Sequence, residues 1–286
     1  MIRLFRWLSG RSLAFAHALG TLVGWLGYWL SPTYRGRFDA HVARAGIGAA
    51  ASRAAVAEAG RMAMELPFLW LRPVGRPLAD FTRIEGAEWV DAAHAAGRGV
   101  LLLTPHLGCF EICAQAYAER FAPQYGPVTV LYRPARKAWL REVMEASRAR
   151  EGLATAPATL AGVRQMIRAL RRGEAVGLLP DQVPPEGQGE WAPFFGQRAY
   201  TMTLAARLAQ QTGAALLLVW GERLPRGRGY VVRFQPMTEA LPADPAAQAE
   251  SAAIVNRAME HLIRQRPQQY LWGYHRYKAP RAAASE

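Results

Sequence analysis

The chain reads as an α/β domain built on a central, mostly parallel or mixed sheet flanked by helices, with a hydrophobic, membrane-associating helix at its N-terminal end. Three observations carry this reading. Short, continuous apolar runs of strand type recur along the chain. Helical patterns separate them. An uncharged segment over 13–30 precedes them all.

Taken in order, residues 13–30 contain no Asp, Glu, Lys or Arg and include thirteen apolar residues, among them Phe15, Trp25, Tyr28 and Trp29. Eighteen residues lie at the lower edge of what crosses a bilayer. Arg3, Arg6 and Arg11 imitate the basic start of a signal peptide, but Ser31-Pro32-Thr33-Tyr34-Arg35 offers no small-x-small cleavage site, so the segment is expected to be retained. A spanning anchor, an in-plane interfacial helix and a buried core helix all fit it, because Gly20, Gly24 and Gly27 soften it and Arg35 and Arg37 blur the positive-inside signal. We accordingly divide the chain into residues 1–34, anchor or interfacial helix, and 35–286, one α/β domain.

Residues 49–71, rich in Ala, Met, Glu and Arg, read as a helix stopped near Pro73. Strands are expected over 99–104, 128–132, 175–179, 215–220 and 230–234, where continuous apolar character suits burial on both faces. Helical patterns occupy 110–120, 138–150, 160–172, 200–212 and 246–266. Leu224-Pro225-Arg226-Gly227-Arg228-Gly229 reads as a hairpin turn that makes the last two strands antiparallel.

With 35 Lys+Arg against 22 Asp+Glu, the net charge of +13 favours polyanionic partners: anionic lipid head groups, an acidic carrier protein or nucleic acid. No helix-turn-helix, zinc-finger or RNP-like aromatic pattern supports nucleic acid. Two cysteines, Cys109 and Cys113, complete no zinc site and fit a reducing compartment. A Cys109 nucleophile is rejected, since a small cysteine inside a helix is ordinarily core filler.

The first strand runs into Thr104-Pro105-His106-Leu107-Gly108-Cys109-Phe110-Glu111, which places His106 at a strand's C-terminal end, where α/β sheets carry ligands. On one continuous helix His106 and Glu111 would sit about 140° apart and could not meet. His106 is therefore expected in the loop and Glu111 in the first helical turn, where the carboxylate can grip one ring nitrogen and leave the other as a general base. A backbone-satisfied histidine and a helix-capping glutamate explain the same spacing.

Arg133 follows the second strand and precedes Pro134, a position from which a guanidinium can meet a phosphate or an oxyanion; an ordinary surface arginine fits equally. Asp181 follows the third strand and can hold Arg133 or a sugar hydroxyl, or form a turn before Pro184-Pro185-Glu186-Gly187. Arg164, Arg168, Arg171 and Arg172 line one helix face, and Arg136, Lys137 and Arg141 lie near Arg133. Such stripes suit an anionic surface or a solvated face. Pro193-Phe194-Phe195-Gly196 reads as the lining of an apolar pocket or as core.

Taken together, Pro105-His106-Leu107-Gly108-Cys109-Phe110-Glu111, Leu131-Tyr132-Arg133-Pro134, 173–182 with its Pro180-Asp181-Gln182, Pro193-Phe194-Phe195-Gly196 and the closing 267–278 resemble the ordered motifs of the bacterial lipid A biosynthesis acyltransferases, the lauroyl and myristoyl transferases of the lysophospholipid acyltransferase superfamily. The resemblance runs from the hydrophobic N-terminus to residue 278. Many members of the wider superfamily carry Asp where Glu111 stands, and Glu is usual in this branch. It implies a catalytic dyad of His106 and Glu111, a substrate site including Arg133 and Asp181, and no metal or cofactor. It further implies direct acyl transfer from acyl carrier protein, or less often acyl-CoA, to a hydroxyl of a lipid A precursor at the bacterial inner membrane, with the catalytic domain on the cytoplasmic side. Another glycolipid acceptor, such as a phosphatidylinositol mannoside, or a nonenzymatic basic membrane-binding role are the alternatives.

Overall fold

In the computed structural model, which describes residues 2–73, 75–132, 135 and 137–282, five helices precede the sheet. These are α1 (Ile2–Ser9), α2 (Leu13–Leu30), α3 (Pro32–Arg44), α4 (Ala49–Met64) and α5 (Leu66–Trp70). Ser12 caps α2 by accepting from Phe15 N–H at 3.2 Å. Ser31 ends α2 and caps α3, whose first residue is Pro32, so two helices meet at one short corner. The helix expected over 49–71 breaks at Glu65 into α4 and α5, because Pro67 enters the next turn without an N–H.

Alternation then begins: β1 (Thr82–Glu85), α6 (Ala87–Ala95), β2 (Val100–Leu103), α7 (Phe110–Arg120), α8 (Ala122–Tyr125), β3 (Val128–Tyr132), α9 (Ala138–Arg148), β4 (Leu153–Pro157), α10 (Leu160–Arg171) and β5 (Ala175–Leu178). A small hairpin, β6 (Gly189–Phe194) with β7 (Gln197–Met202), leads to α11 (Leu204–Thr212), β8 (Ala215–Arg223), β9 (Tyr230–Pro236) and α12 (Gln248–Gln265).

The main sheet has the order β1-β9-β8-β2-β5-β3-β4. Strands β8, β2, β5, β3 and β4 are parallel; β9 runs antiparallel to β8, and β1 follows β9. The expected mixed α/β sheet is therefore present, with the antiparallel last pair. Its turn is tight: Leu224 N–H donates to Gly229 O at 2.9 Å, and Arg226, Gly227 and Gly229 all take positive φ.

Strand β2 is the centre of the molecule. All four of its residues are buried, and helices cover both faces of the sheet around it. Truncating Leu101 or Leu103, both fully buried, removes contacts on the order of 2–5 kcal/mol each. Edge strands β1 and β4 escaped the sequence reading because they are short, half-exposed and lack an apolar run. The helix expected over 200–212 begins only at Leu204. Tyr200 to Met202 instead pair with Gly189 to Trp191 across the hairpin.

Helix α2 packs along α4. A Cβ on Gly60 would lie 1.9 Å from Gly20 O, and one on Gly24 would lie 2.2 Å from Val56 O, so only glycine permits this approach. Leu13, Ala16, His17 and Gly20 face inward. Leu22, Leu26, Trp29 and Leu30 stay exposed, as do Leu4 and Trp7 of α1.

Candidate active site

The sheet register builds the site. Leu103, the last residue of β2, pairs with Leu178, the last of β5. Three residues beyond each strand the chain reaches His106 and Asp181, abreast at the C-terminal edge of the sheet. There His106 Nδ1 lies 2.8 Å from Asp181 Oδ1, and the backbone N–H of His106 donates to Oδ2 at 2.9 Å. One carboxylate thus holds both the ring and the backbone of the same histidine.

Asp181 is only 2% exposed. Burial alone would raise its carboxyl, but the charge of His106 and hydrogen bonds from its ring and backbone outweigh that and hold the group below the usual carboxylate range. An ionised Asp181 accepts, so the network assigns the ring proton to Nδ1 and the lone pair to Nε2. Nε2 sits 3.0 Å from the Gln182 side-chain amide, which can only donate to it.

The expectation that Glu111 grips His106 is not what the fold brings together. Glu111 stands in the first turn of α7, as expected, and His106 in the loop before it, but the His106 ring turns to Asp181. Glu111 Oε2 accepts from Trp70 Nε1 at 3.1 Å, and Oε1 faces Arg148 Nη2 at 3.6 Å. Asp181, expected to reach Arg133 or a sugar, is the carboxylate that takes the imidazole instead. Arg133 itself lies outside the described residues. The sequence reading missed Gln182 and Arg148, although Gln182 directly follows Asp181 in the Pro180-Asp181-Gln182 block.

The turn after His106 is sewn into the sheet and the C-terminal segment. Gly108 N–H donates to Gln269 O at 2.9 Å, Cys109 N–H to Gly221 O at 2.8 Å, and Leu271 N–H to His106 O at 3.1 Å. Gly108 adopts φ 58°, and a Cβ there would lie 2.0 Å from Gly221 O. Cys109 is buried, and burial pushes its thiol well above the ordinary value. It is core, as anticipated.

His106, Glu111, Gln182 and Arg148 open on a cavity of about 1030 Å³ lying between α7, α9, α10, α11 and the ends of β3 and β5. Apolar side chains including Leu131, Met144, Leu153, Val163, Ile167 and Leu208 line its wall. Arg148, Arg164 and Arg207 add positive charge. Phe194 and Phe195, by contrast, are buried in the core under α12 and do not line it.

The sequence matches the model of the bacterial lipid A biosynthesis acyltransferase family over residues 51–279. The chain belongs to that family. It is 29% identical over 216 residues to a lipid A biosynthesis lauroyltransferase of Escherichia coli (strain K12), covering 75% of this chain and 67% of the relative. It is also 29% identical over 220 residues to a lipid A biosynthesis palmitoleoyltransferase of the same organism, covering 77% and 68%. A lipid A biosynthesis acyltransferase of Haemophilus influenzae is 25% identical over 187 residues, covering 65% and 56%. As a member of this family the protein is an O-acyltransferase. The matched span includes every residue of the His106–Asp181–Gln182 arrangement and of the cavity around it.

Proposed function

We propose that this acyltransferase moves a fatty acyl chain from a thioester, carried by acyl carrier protein or CoA, to a hydroxyl of a lipid A precursor, with His106 as general base. The observation that carries this reading is the imidazole pinned by Asp181 at the head of an apolar cavity. The acceptor hydroxyl takes the position of the Gln182 amide and gives its proton to His106 Nε2. Its oxygen attacks the thioester carbon, forming a tetrahedral oxyanion. The C–S bond then breaks, and the departing thiolate takes the proton back from Nε2. Asp181 holds the tautomer throughout and balances the imidazolium. No protein nucleophile is needed.

The acyl chain occupies the apolar arm beside Leu131, Val163 and Ile167, where each methylene removed from water contributes about 0.8 kcal/mol. Glu111 remains part of the site in this reading, as the group that holds Arg148 on the cavity wall. Arg148 Nη1 is buried and has no hydrogen-bond partner among the described residues, which supports its use on a substrate oxygen. Arg164 and Arg207 suit the phosphates of either donor or of the acceptor, and we assign Arg133 to the same task.

Residues 1–34 form the membrane-facing layer of the catalytic domain at the cytoplasmic side of the inner membrane. One face of α2 is fused to α4 and the other is apolar and exposed, which supports a helix lying in the interface. Purified protein would be mixed with acyl carrier protein thioesters and acyl-CoA of several lengths and a Kdo-bearing lipid A precursor. Mass spectrometry should find one added acyl chain on the precursor. Thioester hydrolysis without an acylated lipid contradicts the assignment.

A further inference from the structure

Behind the turn that carries His106 lies a buried ion cluster that the proposed chemistry does not touch. Arg223 ends β8 with its side chain 1% exposed. Its Nε and Nη2 donate to Glu65 at 2.7 and 2.6 Å, its Nη1 to Glu58 at 2.6 Å, and its Nη2 also to the Gly108 carbonyl at 3.0 Å. Glu65 in turn meets His17 Nε2 of α2 at 3.2 Å and accepts from the Tyr230 hydroxyl at 3.0 Å. Burial alone would raise the Glu65 carboxyl, yet the charge and hydrogen bonds of Arg223, then of His17, hold it below the usual range.

Gln269 closes the frame. Its side chain takes both backbone groups of Arg223 at 2.9 Å, while its own carbonyl accepts Gly108 N–H. Gly108 is therefore gripped at its carbonyl by the Arg223 side chain and at its amide by the residue that holds the Arg223 backbone. These contacts fix both peptide units that flank Gly108, two residues from His106 in the same turn.

Buried ion pairs add little net stability compared with apolar packing of the same volume, but a guanidinium forked onto two carboxylates has little freedom to rotate. We infer that Arg223, clamped by Glu58 and Glu65, is a positioning residue for His106, and that α2 belongs to the same frame through His17. The N-terminal helix is then part of the catalytic architecture as well as the membrane-facing layer.

The inference rests on the acyl-transfer reading for its kinetic arm only. The full chain would be assayed in detergent micelles, where membrane docking is not limiting, as wild type and as Arg223→Lys, Arg223→Met, His17→Gln and, for comparison, Arg233→Lys. Arg233 of β9 pairs with Glu222 of β8 and Glu85 of β1 and makes no hydrogen bond or ion pair to Glu58, Glu65 or Gly108 among the described residues. A lysine restores charge but not the fork. Arg223→Lys is therefore expected to recover thermal stability relative to Arg223→Met, while kcat stays down by about tenfold or more and KM for the thioester holds within about twofold. His17→Gln should lower kcat several-fold, and Arg233→Lys should leave it unchanged.

Ring-nitrogen NMR of histidine-labelled protein reads the His106–Asp181 hydrogen bond with no substrate present. The His106 signal should move in Arg223→Lys and in His17→Gln and stay in Arg233→Lys. If it moves while no lipid is acylated by the wild type, the acyl-transfer reading fails and the positioning role stands. An unmoved His106 signal with wild-type kcat in Arg223→Lys overturns the inference, as do kcat losses that merely track thermal stability across all the variants. Should Arg223→Met fail to fold, Arg223→Lys and His17→Gln carry the same comparison.

Discussion

At the scale of single residues, two carboxylates stand near the imidazole's turn, and only one serves it. Asp181 contacts both the ring and the backbone of His106, whereas Glu111 contacts Trp70 and Arg148. Asp181→Asn reverses the tautomer preference, because an amide can donate to Nδ1 and leave the proton on Nε2. By comparison with the triad carboxylate of serine proteases, kcat should fall by about 10³–10⁴, with folding retained. Glu111→Gln should cost far less, about tenfold, through loosened Arg148. Steady-state kinetics on the two variants separates them, and the reverse ranking would return the dyad to Glu111. The pair also fixes a sign for acid stability. Asp181 titrates lower in the folded than in the unfolded chain, so its contribution is complete above the unfolded value and is lost as pH falls through the folded one. Wild type should accordingly lose stability relative to Asp181→Asn on acidification, as thermal melts at stepped pH would register.

His106 was legible in the sequence because it ends an apolar run in a Pro-His-x-Gly turn before a helix. The role of Asp181 was not. It depends on β2 and β5 being neighbours in register, and the strands β3 and β4 lie between them in the sequence though not in the sheet. Spacing alone made Glu111 the carboxylate nearest to His106, whereas Trp70 and Arg148, the groups it meets, lie far from it in the sequence.

At the scale of elements, the seam between α2 and α4 and the exposed side of α2 make separable demands. A valine at Gly24 would drive its Cβ to within 2.2 Å of the Val56 carbonyl, and overpacking of this kind costs about 1–3 kcal/mol. Gly24→Val should lower the melting temperature. Serine at Leu22, Leu26 and Trp29 together should leave melting unchanged and weaken sedimentation with anionic vesicles by about tenfold or more, since each exposed apolar side chain gains on entering lipid. Unchanged sedimentation would remove the interfacial role of this face. The sequence offered three readings of this helix, and length alone could not choose among them. Two of the three glycines in the segment, Gly20 and Gly24, are where α4 fits, which is a tertiary fact. Continuous apolar runs made the central strands readable; β1, β4 and β6, at edges or carrying a proline, had no such signal.

At the scale of the whole molecule, the parallel strands direct their C-terminal ends to one edge, and the chain brings His106, its apolar cavity and Arg148, Arg164 and Arg207 there. The net charge of +13 and the exposed Arg164, Arg168 and Arg171 suit the anionic partners proposed above: lipid, carrier and precursor. The most direct test is the rate of acyl transfer from a lauroyl thioester on acyl carrier protein to a lipid A precursor by wild type and by a His106→Ala protein with an unchanged melting temperature. Transfer by the variant should fall to the uncatalysed background. Transfer within about twofold of wild type would contradict a general base at His106.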